Sequence, residues 1–220
     1  MGADPYLADD LKRTPLMYAV MSRKASNVQL LLGSYFAVNI VDATDAEGRT
    51  ALSYAAERGT YQILGILLSG QLTDPDLGDN KNRTPLSYAA QYWTLDMVKR
   101  LLIESNRMDA DSKCSGGISP LSWAIERKVP STDGSYILLK EEDEQHSIVR
   151  LFLDTGRNDI NTTDNAGRTP LIRAVFHQRY YIVALLLDYG CDIHIQDNGG
   201  KTALDWAQWN GNEKIIQLLR

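Results

Sequence analysis

Asp164-Asn165-Ala166-Gly167-Arg168-Thr169-Pro170-Leu171-Ile172-Arg173-Ala174-Val175, continued by Ile182-Val183-Ala184-Leu185-Leu186-Leu187 and closed by Gly190, is one full unit of a repeating sequence. Each part has a physical reading. Asp-Asn-Ala-Gly is turn chemistry, because short polar side chains bond their own backbone and glycine accepts a positive φ. Thr169 suits a helix N-cap, since its hydroxyl accepts a hydrogen bond from a free backbone N–H. Pro170 follows at the first helical position, where its missing N–H costs nothing. Ala174 permits close packing of a first helix. Ile182 to Leu187 reads as a short second helix with an apolar face.

The phrase recurs along the chain as Thr14-Pro15-Leu16, Thr50-Ala51-Leu52, Thr84-Pro85-Leu86, Ser119-Pro120-Leu121, Thr169-Pro170-Leu171 and Thr202-Ala203-Leu204. The steps are 36, 34, 35, 50 and 33 residues. Alanines follow each phrase at 19, 55–56, 89–90, 124, 174 and 207, and a second apolar stretch follows each first helix. A period in this range marks a solenoid, in which no unit buries its apolar face alone and stacking supplies the core.

The pattern D-x-x-G-x-T-P-L-x-x-A-A…I-V-x-L-L-L-x-x-G resembles the ankyrin repeat, along essentially the whole chain. The wording Thr-Pro-Leu-Ser-Tyr-Ala-Ala at 84–90 resembles the repeats of fungal ankyrin arrays. The resemblance implies an all-α solenoid of stacked helix–turn–helix repeats with short finger hairpins or loops. The expected division is one domain over 1–220. Residues 1–9 are read as the end of a preceding repeat, and repeats follow at 10–44, 45–78, 79–113, 114–163, 164–196 and 197–220. Gly2-Ala3-Asp4-Pro5 resembles the finger of that preceding repeat, so a segment of a longer protein is expected.

The fourth unit departs from the period. Ser119 to Ile148 is 16 residues longer than Thr169 to Ile182 requires, which puts an insertion within about 129–147. Pro130, Asp133 and Gly134 mark it as a loop. It is read either as a tolerated surface insertion, since long loops cost little, or as a lid or contact site at the rim.

Composition narrows the function. The net charge of −5 and the pI near 5.2 argue against nucleic acid, whose binders carry basic patches. No apolar run approaches the roughly 18 residues that a membrane span needs. Two cysteines without CxxC pairing point to a reducing, cytoplasmic setting. His146, His177 and His194 fall in different repeats, and no zinc spacing, nucleophile elbow or phosphate loop occurs. No cofactor, metal or catalytic activity is expected.

In ankyrin stacks the first helices line a concave face, and the resemblance puts positions +4, +7 and +8 from each Thr or Ser there. Position +4 reads Tyr18, Tyr54, Tyr88, Trp123, Arg173, Trp206. Position +7 reads Met21, Glu57, Gln91, Glu126, Phe176, Trp209. Position +8 reads Ser22, Arg58, Tyr92, Arg127, His177, Asn210. All four tryptophans, including Trp93, fall in first helices or at their ends. Trp and Tyr are enriched at binding hot spots because they bury large area and still offer a polar atom. The expected partner site is therefore Tyr54, Glu57, Arg58, Tyr88, Tyr92, Trp93, Trp123, Glu126, Arg127, Arg173, Phe176, His177, Trp206 and Trp209. Finger residues Arg49, Lys81, Arg83, Arg168 and Lys201 would add contacts. The tyrosines at +4 also admit a structural reading, as shields of the alanine-rich interface, and Trp206 and Trp209 an alternative one, as contacts to a following segment of the parent protein.

The leading functional expectation is a module that binds another protein or peptide in its concave groove. Two alternatives stay open: a small-molecule or enzymatic pocket near the insertion, by Trp123, Glu126 and Arg127, and a structural spacer in a nucleotide-binding receptor-like protein.

Overall fold

The computed structural model describes residues 7–33, 37–58, 60–70, 72–92, 94–104, 108–126 and 140–220. Among them every element is helical. The first helices are α1 (Pro15–Met21), α4 (Ala51–Arg58), α6 (Pro85–Tyr92), α8 (Pro120–Ile125), α10 (Pro170–Phe176) and α12 (Ala203–Asn210). The second helices are α2 (Ala25–Leu32), α5 (Tyr61–Ser69), α7 (Leu95–Lys99), α9 (Lys140–Thr155), α11 (Tyr180–Asp188) and α13 (Glu213–Leu218). A short helix α3 (Ala37–Ile40) follows α2, and α7 runs on into a π turn over Arg100–Glu104.

Each first helix begins as its sequence dictates. The hydroxyls of Thr14, Thr50, Thr84, Ser119, Thr169 and Thr202 accept the backbone N–H three residues on, at 3.1–3.4 Å. In α12 the carboxylate of Asp205 returns the favour to the Thr202 N–H, completing a capping box.

The first helices pack in one row, α1 on α4, α4 on α6, α6 on α8, α8 on α10 and α10 on α12. The second helices form an outer layer in which α2 meets α5, α7 meets α9, and α11 meets both α9 and α13. The core runs continuously between the layers. It takes in Leu16, Leu52, Leu86, Leu121 and Leu171 at +2, and Ala55, Ala56, Ala89, Ala90, Ala124, Ala174 and Ala207. Alanine allows the close approach of neighbouring helices that a continuous stack requires.

The fingers form a second seam. The N–H groups of Ala46, Asn80, Ser115, Asn165 and Asn198 donate to carbonyls of the preceding finger, at 2.7–3.1 Å. Asn80, Asn165 and Asn198 add side-chain amide bonds across the same gap. Gly117 and Gly167 hold φ near +75° there. A Cβ on Gly117 would stand 2.6 Å from Oδ1 of Asn165 and 2.7 Å from its backbone nitrogen, so this close approach admits only glycine.

Part of the stretch expected as an inserted loop is helical. Helix α9 starts at Lys140, so residues 140–147, expected in the inserted loop, are helical. Gln145 explains the anchoring. Its buried amide donates to the carbonyls of Ala124 and Ile125, at 2.8 and 2.9 Å, and so caps the end of α8. The remainder of the insertion up to residue 139 lies outside the described residues, as do Trp93 and Arg127.

Candidate functional site

An aspartate opens five of the six fingers: Asp9, Asp45, Asp79, Asp164 and Asp197. Its Oδ1 accepts the N–H groups two and four residues later, which shapes the finger as an Asx turn. Its Oδ2 accepts from the +4 residue of the helix that follows, always nine residues on. The donors are the hydroxyls of Tyr18, Tyr54 and Tyr88 at 2.7–2.8 Å, the guanidinium of Arg173, and the indole nitrogen of Trp206 at 2.9 Å. The +4 column therefore pins fingers to helices.

This gives several of the expected site residues a structural role. Tyr54, Tyr88 and Arg173 are buried, with exposures of 2%, 8% and 2%. Burial and the bond to Asp45 push the Tyr54 hydroxyl up to about 12, and burial and the bond to Asp79 raise Tyr88, so both remain proton donors at neutral pH. Arg173 replaces the tyrosine with a cation and bridges Asp164 to Glu126 of the preceding repeat. Burial lowers its pKa to about 10, which leaves it charged at pH 7. The phenol shields of the sequence reading are thus also hydrogen-bond anchors.

Most finger cations are likewise engaged. Arg13, Arg49 and Arg168 each pair with the aspartate four residues back, and Arg49 also reaches Glu47 and Glu57. Arg83 differs. It stacks over the rings of Tyr88, Tyr92 and Trp123, at 4.1, 5.4 and 4.3 Å, and bonds the side chain of Gln91.

On the row of first helices, an exposed cluster of aromatic rings lies toward the C-terminus. Phe176, Trp206 and Trp209 form an edge-to-face chain with centroids 5.4 and 5.5 Å apart. His177 meets Phe176 edge-on at 5.4 Å, and its Nε2 lies 3.8 Å from Glu126. The Lys201 ammonium sits 4.7 Å from the Trp206 ring and 5.8 Å from that of Trp209. Phe176 is 40% and Trp209 69% exposed. Tyr92 and Arg58 are also exposed, and Glu57, Trp123, Glu126 and Trp206 are partly so. The structure thus brings together Phe176, His177, Trp206, Trp209 and Glu126, while Glu57 and Arg58 stand apart on α4.

What sequence reasoning missed was the aspartate column, although the constant spacing of nine was present to be read. Among the described residues no group of three or more His, Cys, Asp or Glu is arranged to hold a metal, and no helix is long and apolar enough to cross a membrane.

Paired helices, a shared core and bonded fingers define a repeat scaffold of the kind that presents a surface rather than a catalytic cleft. The family model for ankyrin repeats matches residues 1–79 and 141–220, and the chain belongs to the ankyrin-repeat family. It is similar to human inversin, with 31% identity across 86% of this chain and 20% of that protein. It is also similar to the ankyrin repeat protein YahD of Escherichia coli (strain K12), with 38% identity across 33% of this chain and 39% of that one. The chain therefore spans well under half of either relative. In structure it resembles the ankyrin repeat protein EF0377, with a TM-score of 0.76 and 26% identity over 93% of this chain and 96% of that one. Ankyrin-repeat domains generally mediate protein–protein interaction.

Proposed function

We propose that this chain is a protein-interaction module whose concave face binds a partner protein or peptide, with the principal contacts at Phe176, Trp206 and Trp209. The observation that carries this reading is the exposure of Trp209 at the end of an edge-to-face aromatic run. A large apolar ring left 69% in solvent forgoes burial that a partner would supply. Tryptophan is among the residue types that most often dominate binding energy. Lys201 adds a cation held against the rings and available to an acceptor on the partner. Tyr92 and Arg58 extend the same face toward the N-terminus.

The test is affinity capture from the source cell with the native chain and a Phe176→Ala/Trp209→Ala variant, after both show equal helical circular dichroism and melting. Proteins held by the native chain and lost by the variant support the reading. Equal capture by both contradicts it.

A further inference from the structure

The fourth finger has the backbone of the other five but lacks their carboxylate. Its Cys114 N–H donates to the Ile118 carbonyl at 3.2 Å, and its carbonyl accepts from Gly117 at 2.7 Å. The same pair of bonds forms at Asp9, Asp45, Asp79, Asp164 and Asp197. Residue 114 therefore occupies the aspartate position, with Trp123 nine residues on at +4.

The donors that serve an aspartate elsewhere are all present. In the other fingers Oδ1 takes the N–H groups at two and four residues on, and Oδ2 takes the +4 side chain. The counterparts here are the N–H groups of Gly116 and Ile118 and the indole N–H of Trp123. None has a hydrogen-bond partner within the described protein. The Trp123 Nε1 is fully buried, whereas the equivalent atom of Trp206 bonds Asp197 at 2.9 Å. Arg173, only 2% exposed, interacts electrostatically with Cys114, and its own Nε is buried without a partner. A thiol is a weak acceptor and leaves this cradle unfilled. The Trp123 indole N–H is the buried member, and leaving a buried donor unmade is costly, whereas Gly116 is exposed and Ile118 partly so.

We propose that Cys114 is a peroxide-oxidised modification site whose sulfinate supplies the acceptor oxygens that aspartate supplies in the other five fingers. A sulfinate carries two oxygens on the atom bonded to Cβ, as an aspartate carboxylate does, and bears the same charge. In the first step the Cys114 thiolate attacks hydrogen peroxide. An S–O bond forms, the O–O bond breaks, sulfur loses two electrons, and the displaced hydroxide takes a proton to leave as water. The sulfenate repeats the step with a second peroxide to give the sulfinate and a second water. One oxygen then accepts from Gly116 and Ile118, and the other from Trp123. Cys114 is partly exposed, as attack requires, while Cys191 is buried and its thiol pushed up to about 11. The modification locks the fourth finger onto α8, next to the start of the insertion, and is independent of the groove reading.

The experiment treats the full chain with hydrogen peroxide and maps the added mass by peptide. Amide exchange at Gly116 and Ile118 is then followed in the reduced chain, the oxidised chain, Cys114→Asp and Cys114→Ser. The expected result is a gain of about 32 Da, two oxygens, at Cys114 before Cys191. Exchange at both amides should slow about five- to tenfold in the oxidised chain and in Cys114→Asp, but not in Cys114→Ser. Oxidation of Cys191 first, or a Cys114 that stays unoxidised, overturns the proposal. So does unchanged exchange at the two amides after oxidation. Equal protection of the reduced chain by added acetate also overturns it, since the acceptor would then come from outside the chain.

Discussion

Tyr54 donates its hydroxyl proton to Oδ2 of Asp45, 2.7 Å away and nine residues earlier, and accepts one from Nη2 of Arg49 at the same distance. A finger and a helix are thus joined through one buried phenol. Removing only the hydroxyl, as Tyr54→Phe, should cost about 1 kcal/mol, the usual net worth of such a bond. Urea denaturation measures this. A double-mutant cycle with Asp45→Asn should return a coupling of about the same size. Additive losses would mean that the pair does not act as one.

Arg173 meets two carboxylates in a buried setting, Asp164 of its own finger and Glu126 of the preceding repeat. Arg173→Ala strands both, and about 3–5 kcal/mol should be lost. Arg173→Tyr restores the residue type found at 18, 54 and 88, keeps a donor for Asp164, and should lose clearly less. Equal losses for the two variants would remove the hydrogen-bond explanation of this position.

The third residue after each opening aspartate has a left-handed backbone. Lys12 and Asn82 adopt φ of 59° and 56° where Gly48, Gly167 and Gly200 adopt 74–79°. A side chain is strained in that region. Lys12→Gly should therefore stabilise by about 0.5–1 kcal/mol, net of the added freedom of the unfolded chain. Gly117→Ala should destabilise, because its Cβ would meet Asn165 at 2.6 Å. Thermal melts of both variants check the opposite signs.

The C-terminal repeat should be acid-sensitive. Burial raises the Asp197 carboxyl, but bonds from the N–H groups of Lys201 and Gly199 and from Trp206 outweigh it, and the net direction is down from 3.8. Asp205 is lowered by its bonds from Thr202. A depressed carboxyl stabilises fully above its unfolded value and loses that contribution as pH falls through its folded value. Melting temperature should therefore fall as pH drops below about 3.8. Asp205→Asn should melt lower at about pH 6 and show a shallower fall in acid. Parallel curves would show that the capping box carries none of the dependence. Asp76 and Asp111 act in the opposite sense, since burial raises them and protonation relieves that cost.

Much of this was legible in the sequence because its signals are local. Thr and Ser caps, proline at the first helical position and alanine at the interface set each first helix, and all six caps bond as their residue types imply. The site was less legible, because position +4 encodes a direction that depends on a partner nine residues away. Tyr54 and Tyr88 read as groove residues until Asp45 and Asp79 turn them inward. Tyr18, with the same bond to Asp9, is 42% exposed. The start of α9 was also hidden, since Gln145 finds its acceptors on α8 rather than in its own neighbourhood.

The most direct test of the groove assignment is calorimetric titration of a captured, purified partner into the native chain, Trp209→Ala and Tyr181→Ala. Tyr181 is a matched control, being 60% exposed on the outer helix α11. Truncating a hot-spot aromatic contact typically costs about 2 kcal/mol or more, so Trp209→Ala should weaken binding by roughly thirtyfold or more. Tyr181→Ala should leave the affinity unchanged. Loss of affinity in Tyr181→Ala with none in Trp209→Ala would contradict the account and move the site to the convex layer.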